Sequence, residues 1–289
     1  MADRVRADET DHRQRGEDRR TREASSKLST SGRLSVASLN TRGMPLFGSR
    51  LAARYQAIGE YFEASDVDVV NFQEVLTYYH LRLLTKHLPS FPCAVQRPSA
   101  AGPAGGLATF SRRRVVGREF RRFPLASGAR IPLRAWVGAP LKGILTTRLA
   151  EPGVRIMNTH LVANFDGDWS SESRYYELHR QQLATLASAV GSGPVIVSGD
   201  FNVARDSSLF EDFMAASRLG DAFGGECPPT FRSEYLGAGQ VSRCIDFLLC
   251  SAGTTAKDAR LILTDEIPGT GFASDHLGLA ATLTVGFGG

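Results

Sequence analysis

The chain has 289 residues and a mass of 31.3 kDa, with 42% apolar and 22% charged residues and a net charge of +4. This is globular composition, and a chain of this length buries roughly 75% of its unfolded surface, which excludes disulfide-dependent, collagenous and wholly disordered classes. Residues 1–33 hold nine Lys/Arg and seven Asp/Glu, so residues 34–289 carry only +2, and bulk charge does not mark a nucleic-acid binder.

Residues 1–33 almost lack large apolar side chains and are expected to form a disordered charged tail, leaving residues 34–289 as one domain. The tail has no apolar signal-peptide core, and no run of about 18 apolar residues follows, so the expectation is a cytoplasmic chain without a transmembrane segment. Leu34–Leu39 alternates as a strand. Ser49 reads as an N-cap, with Leu51, Tyr55, Ile58 and Phe62 forming one helical face. Val67–Phe72 reads as a buried strand and Leu76–Leu88 as a helix stopped by Pro89. Strands are expected at Gly106–Ser111, Gly143–Leu149 and Val154–His160, then a helix at Glu172–Val190 and a strand at Val195–Ser198. Further strands are expected at Cys244–Cys250, near Leu261–Leu263 and at Gly278–Val285. Cys93, Cys227, Cys244 and Cys250 show no zinc-site spacing and read as reduced thiols. The pattern as a whole gives an α and β chain, with two sheets and outer helices.

Polar residues recur at the ends of these strands. Asn40 ends the first, Glu74 follows V-D-V-V-N-F-Q, Asn158 and His160 close V-R-I-M-N-T-H, and Asp200 and Asn202 follow P-V-I-V-S-G. Asp246 lies in C-I-D-F-L-L-C, and Asp275 and His276 precede the last strand. A rigid sheet can converge side chains at such ends. Several buried carboxylates together require a cation or hydrogen-bond donors, and oxygen ligands suit Mg²⁺ or Mn²⁺ better than zinc. Singly each has a plainer reading: Asp246 as a satisfied strand residue, Asp275 as a turn or helix cap, His276 as structural, G-D-F-N as a tight turn.

The ordered set N-F-Q-E at 71–74, N-T-H-L at 158–161, S-G-D-F-N at 198–202, R-C-I-D-F at 243–247 and S-D-H at 274–276, with Asn40 before it, resembles the endonuclease/exonuclease/phosphatase superfamily. The resemblance runs from about residue 34 to residue 285. It implies a four-layer α/β/β/α sandwich with a metal-dependent phosphoesterase site at one end. It implies Glu74 as the main metal ligand, aided by Asn40 and Asp275, and Asp200 as the group that orients or deprotonates water. Asn202 would position water or phosphate, Asp246 would orient His276, and His160 and His276 would contact phosphate oxygens. Asn158 and Lys142 are expected to bind substrate. No Ser/His/Asp or Cys/His arrangement competes.

Within that superfamily, L-N-T-R-G-M-P at 39–45, G-L-A-T-F-S at 106–111, F-R-R-F-P-L at 120–125, L-K-G at 141–143, T-H-L-V-A-N-F at 159–165 and R-Y-Y-E-L-H-R-Q-Q at 174–182 are similar to the neutral sphingomyelinase-like branch. The basic residue that usually follows Q-E in nucleases of the superfamily is missing from Q-E-V-L-T. The expected substrate is therefore a phosphodiester with a lipid headgroup rather than nucleic acid. Residues 112–134 pull the other way, with eight arginines against the single acid Glu119. They read as a solvated loop or edge strand, or as a face for anionic lipid or nucleic-acid phosphates. A metal-dependent nuclease and a silent binding module on the same fold are the competing readings.

Overall fold

The computed structural model describes residues 32–43, 50–124 and 139–286. In chain order the elements are β1 (Gly32–Asn40), α1 (Leu51–Glu63), β2 (Val69–Gln73), α2 (Tyr78–His87), β3 (Cys93–Val95), β4 (Ala108–Ser111), β5 (Val115–Arg122), β6 (Gly143–Leu149), β7 (Arg155–His160), α3 (Tyr176–Val190), β8 (Val195–Asp200), α4 (Ser208–Ser217), β9 (Gly220–Asp221), β10 (Asp246–Cys250), β11 (Thr254–Ile262), β12 (Glu266–Ile267), β13 (Gly271–Phe272) and β14 (Gly278–Val285).

Two six-stranded sheets form, ordered β11-β14-β1-β2-β4-β3 and β5-β6-β7-β8-β10-β9. Strand residues alternate between two apolar layers, because both faces of each sheet are covered. In β1, Val36 packs between the sheets while Ala37 faces the helices; in β2, Val69 and Val70 divide the same way. Tyr55, Ile58 and Phe62 of α1 and Leu84 of α2 cover the first sheet. Leu183, Leu186 and Val190 of α3 and Leu209, Phe210 and Phe213 of α4 cover the second. The result is the expected α/β/β/α sandwich.

The sequence misses α4, although Ser207 caps it by accepting from the Phe210 amide and Leu209 and Phe213 share one face. Its ten residues are short for periodicity to register. The Arg-rich stretch contains β5, an edge strand, so the edge-strand reading is correct as far as Arg122; Arg130 and Arg134 lie outside the described residues. β11 begins earlier than the expected 261–263, and Asp258 takes a left-handed conformation where its register shifts. Gly32 and Arg33 open β1 rather than closing the tail, the rest of which lies outside the described residues. Ser49 does too, and the residue before α1 is Arg50, with φ 43° and no side-chain cap. All four cysteines are free thiols.

Polar side chains fix how the sheets face each other. Asn71 Nδ2 donates to Ser198 Oγ at 2.9 Å, and Thr109 Oγ1 donates to Asn71 Oδ1 at 2.7 Å. Gln73 Nε2 donates to Asn158 Oδ1 at 2.8 Å, and Asn158 Nδ2 donates to the Phe72 and Ala108 carbonyls. A sheet interface of Val and Leu alone would tolerate sliding; directional bonds do not.

Register then aligns one row across the second sheet: Arg122 opposite Gly143, Gly143 opposite His160, His160 opposite Asp200 and Asp200 opposite Asp246. Gly199, next to this row, has φ 149°, and a Cβ there would sit 1.9 Å from the Thr159 carbonyl oxygen. Backbone cannot yield as a flexible side chain can, so Gly199→Ala is expected to cost about 3 kcal/mol or more, read as a lowered urea midpoint with an unchanged slope.

Candidate active site

The site lies where β1, β2, β7 and β8 end and β10 begins. Three of these strands hand over to residues in the left-handed region: Arg42 (φ 50°) after β1, Glu74 (φ 60°) after β2 and Asn202 (φ 52°) after β8. Such conformations are costly for non-glycine residues, and local hydrogen bonds offset the cost. The Arg42 amide donates to Asn40 Oδ1 at 3.0 Å, and the Asn202 amide donates to Asp200 Oδ1 at 2.9 Å. Both are turns closed by a side chain two residues back. The Gly43 amide donates to Glu74 Oε2 at 2.9 Å, and a Cβ on Gly43 would lie 1.8 Å from the Glu74 carbonyl oxygen. Gly43 is therefore the residue type that lets the first loop hold this carboxylate.

Asp200, 1% exposed, is the centre. Its Oδ2 accepts from Asn40 Nδ2 at 2.9 Å and lies 3.4 Å from His160 Nε2 and 3.7 Å from His276 Nε2. Asn40 Nδ2 also reaches Glu74 Oε1 at 3.3 Å, so this amide meets both carboxylates with its nitrogen. Behind His276, Asp246 Oδ2 lies 2.8 Å from Nδ1. The Ile245 and Asp246 amides donate to Thr230 Oγ1, and Phe231 sets its ring edge-on to His276 at 5.0 Å. The Ser274 hydroxyl donates to the Asn40 carbonyl at 2.6 Å, tying the S-D-H segment to β1. Asp275 is half-buried and paired with Arg42 at 3.5 Å.

Burial, then the negative charge of Asp246, raises the Asp200 carboxyl to about 7, against the opposing pull of His276, Asn40 and Lys142. Burial alone would lower His276, but the Asp246 and Asp200 carboxylates outweigh it and hold the imidazole well above its ordinary range. His160 goes the other way: burial, then the charges of Lys142 and His276, push it well below. The same cluster therefore drives the two imidazoles in opposite directions, His276 toward the cation and His160 toward the neutral ring. Lys142 is lowered to about 8 by burial, with Glu74 and Asp200 resisting. Its charge thus acts within the site.

The structure brings together Asn40, Glu74, Lys142, His160, Asp200, Asn202, Asp246, Asp275 and His276. It sets Asn158 apart. Fully buried, Asn158 spends its amide on Gln73, Phe72 and Ala108 between the sheets, so no polar atom of it remains for substrate. The sequence reading also passes over Arg54, which is 1% exposed. Its guanidinium donates to the Thr41, Arg42 and Ala273 carbonyls and joins the loops that carry Asn40 and Asp275. The signal was an arginine on the apolar face of α1, beside Leu51 and Ile58.

Asp200, Asp246 and His276 offer ligand atoms within 4.8 Å of one another and could hold a metal ion. The Asp246–His276 contact is, however, already a hydrogen bond. Glu74 and Asp275 are less buried than Asp200 and Asp246, and their oxygens suit a hard cation. The raised Asp200 is a second indication, because it marks carboxylate charge that the nearby donors leave uncompensated.

A carboxyl whose folded pKa stands above its unfolded value stabilises the fold at low pH and loses that contribution as pH rises. In chelator, the stability of the wild type relative to Asp200→Asn should therefore fall between about pH 4 and pH 7. Thermal melts of both proteins across that range check it, and a pH-independent difference would contradict the assigned direction.

Comparison with known proteins agrees with this geometry. The model of the Endonuclease/Exonuclease/phosphatase family matches residues 37–276. A Caenorhabditis elegans protein named "Putative neutral sphingomyelinase" is 25% identical over 278 residues, covering 83% of this chain and 63% of that protein. This chain thus spans less than two thirds of that relative's length. Among solved structures, D. rerio TDP2 complexed with single-strand DNA product superimposes with a TM-score of 0.68 at 19% identity, covering 87% of this chain and 99% of that one. Sphingomyelinase C from Streptomyces griseocarneus superimposes at 0.63 with 18% identity, over 87% and 99%. At these identities the two structures attest to the fold alone. With the family model matching most of the chain, and with the strand ends converging as described, the protein belongs to the endonuclease/exonuclease/phosphatase family.

Proposed function

We propose that the chain is a Mg²⁺-dependent phosphodiesterase, with Mn²⁺ as the alternative ion, that cleaves a sphingomyelin-like lipid phosphodiester by in-line attack of water. The observation that carries the reading is the buried Asp200 carboxyl set between the imidazoles of His160 and His276, with Asp246 hydrogen-bonded behind His276. In this reading Asp200 takes the proton of the attacking water, for which a value near 7 suits a base at neutral pH. Asn202, fixed by its amide to Asp200 and by its side chain to the Leu161 carbonyl, orients that water or a phosphate oxygen. His276 and Lys142 meet the non-bridging oxygens as cations, and His160 donates through a neutral N–H. Glu74, with Asn40 and Asp275 beside it, would hold the divalent cation. The cation's chemistry there is charge stabilisation on the leaving and non-bridging oxygens.

The lipid headgroup is favoured by the name of the C. elegans relative, by the missing cation after Gln73-Glu74 and by the near-neutral body. The arginines of β5 favour a nucleic-acid backbone instead. A hydrolysis panel of sphingomyelin, lysophospholipid, inositol phosphates, RNA and single- and double-stranded DNA, with Mg²⁺ and with chelator, separates the two. Phosphocholine release that chelator abolishes is expected, and robust Mg²⁺-dependent DNA cleavage without it would overturn the substrate class. Glu74→Gln should lower turnover by roughly 10³-fold with the fold retained; near-normal Mg²⁺-dependent turnover would remove Glu74 from the metal site.

Asp246 and His276 are expected to act as one unit. The rate losses of Asp246→Asn and His276→Gln should then be strongly non-additive in the double variant. Losses that simply multiply would contradict the pairing.

A further inference from the structure

Six large apolar side chains stand well exposed among the described residues: Tyr78, Tyr79, Val116, Leu141, Phe165 and Val241. Five of them lie at the end of the sandwich that carries the site. Leu141 immediately precedes Lys142 and the Gly143 end of β6, Phe165 follows His160 by five residues, and Val241 precedes Asp246 by five. Tyr78 and Tyr79 open α2 just after Glu74. Only Val116 lies at the far end, next to the Val115–Leu149 pair.

These five stand on four separate segments, each close in sequence to a residue of the site. The segments are also held in place. The Tyr78 hydroxyl donates to the Ser99 carbonyl at 2.7 Å, and Trp169, on the loop of Phe165, donates from Nε1 to the Asn202 carbonyl at 2.9 Å. Leu141 and Val241 are 60% and 69% exposed. Apolar groups clustered this way around one opening mark a surface that becomes covered, and tyrosines among them suit a boundary between water and an apolar phase.

Charge adds a second, independent observation. Arg97 and Arg122 line one cavity of about 420 Å³, together with Phe120. Both are exposed, and neither pairs with an acid among the described residues. Arg122 ends the row that runs through Gly143 and His160 to Asp200. Three strand spacings put it about 14 Å from that carboxylate.

We infer that this end of the molecule docks on an anionic phospholipid bilayer. Tyr78, Tyr79, Leu141, Phe165 and Val241 enter the interfacial layer around the mouth, and Arg97 and Arg122 lie against acidic headgroups. The inference rests on the lipid-phosphodiester reading and deepens it: the scissile phosphate is met in the membrane plane, with the site facing it. A nucleic-acid strand would use the arginines and could stack bases on Tyr78, Tyr79 and Phe165, but it would gain nothing from the aliphatic Leu141 and Val241, the two most exposed of the set.

Vesicle co-sedimentation in chelator tests this without turnover, so its failure is distinct from failure of the proposed chemistry. The vesicles are phosphatidylcholine alone and phosphatidylcholine mixed with phosphatidylserine. The full chain should bind the mixed vesicles more tightly. Arg97→Gln with Arg122→Gln should weaken that binding by about fivefold per arginine, with little effect on phosphatidylcholine alone. Leu141→Ser with Phe165→Ser and Val241→Ser should weaken binding to both by more than tenfold, while Val116→Ser binds as the wild type does. Circular dichroism confirms that each variant is folded. Undiminished binding by the triple variant, or an equal loss in Val116→Ser, overturns the inference. So does retention of a single-stranded oligonucleotide that falls in the arginine variant while its vesicle binding does not, which would transfer the face to nucleic acid.

Discussion

The constraint on which the rest of the structure depends is the burial of Asp200. An ionised carboxylate out of water is expensive unless donors or opposite charge surround it. Here a second carboxylate, Asp246, sits across the strand pair and makes the cost larger. The surroundings answer with an amide from β1, an imidazole from β7, another from the 274–276 segment and an ammonium before β6. Together these groups do not fully offset the burial, and the Asp200 carboxyl stays raised to about 7. The same shortfall that makes the site costly leaves it prepared for a cation and an anionic substrate.

That arrangement holds only if the two sheets keep their relative position, because Asn40 and Glu74 come from one and Asp200, His160 and Asp246 from the other. The polar bridge through Asn71, Ser198, Gln73 and Asn158 supplies the direction that apolar packing lacks. Asn158 belongs to this bridge and not to the substrate surface, although its sequence neighbour in the motif, His160, points into the site. Positions 158 and 160 share a strand face. Depth separates their roles, since only the second reaches the open end.

Three of the left-handed non-glycine residues gather at the same end. Arg42, Glu74 and Asn202 each turn the chain away immediately beyond a strand that delivers a site residue. Side-chain oxygens of Asn40 and Asp200 and the amide of Gly43 meet the local cost. Arg54 from α1 and Ser274 from the last loop fasten the first of these turns to the segment that carries Asp275 and His276. The segments that carry Asn40, Asp275 and His276 are thereby held to one another and to α1.

Much of this was legible in the residues themselves. The alternation of Leu34–Leu39, the face of Leu51, Tyr55, Ile58 and Phe62, and the short runs ending in Asn40, Glu74, His160 and Asp200 are local patterns, and local backbone geometry follows from them. The paired carboxylates and histidines at strand ends named the chemistry, and nearly all of them converge. What a linear sequence could not decide was which polar residues face each other across sheets. Asn158 reads as a site residue by its place in N-T-H-L, while no motif in the sequence marks Arg54 or Thr230. Their roles arise from contacts between segments far apart in the chain, up to Arg54 with Ala273. The depth of burial that sets Asp200, His160 and His276 to different protonation states likewise exists only after the sheets have packed. Desolvation is a property of the assembled interior, and no residue carries it alone.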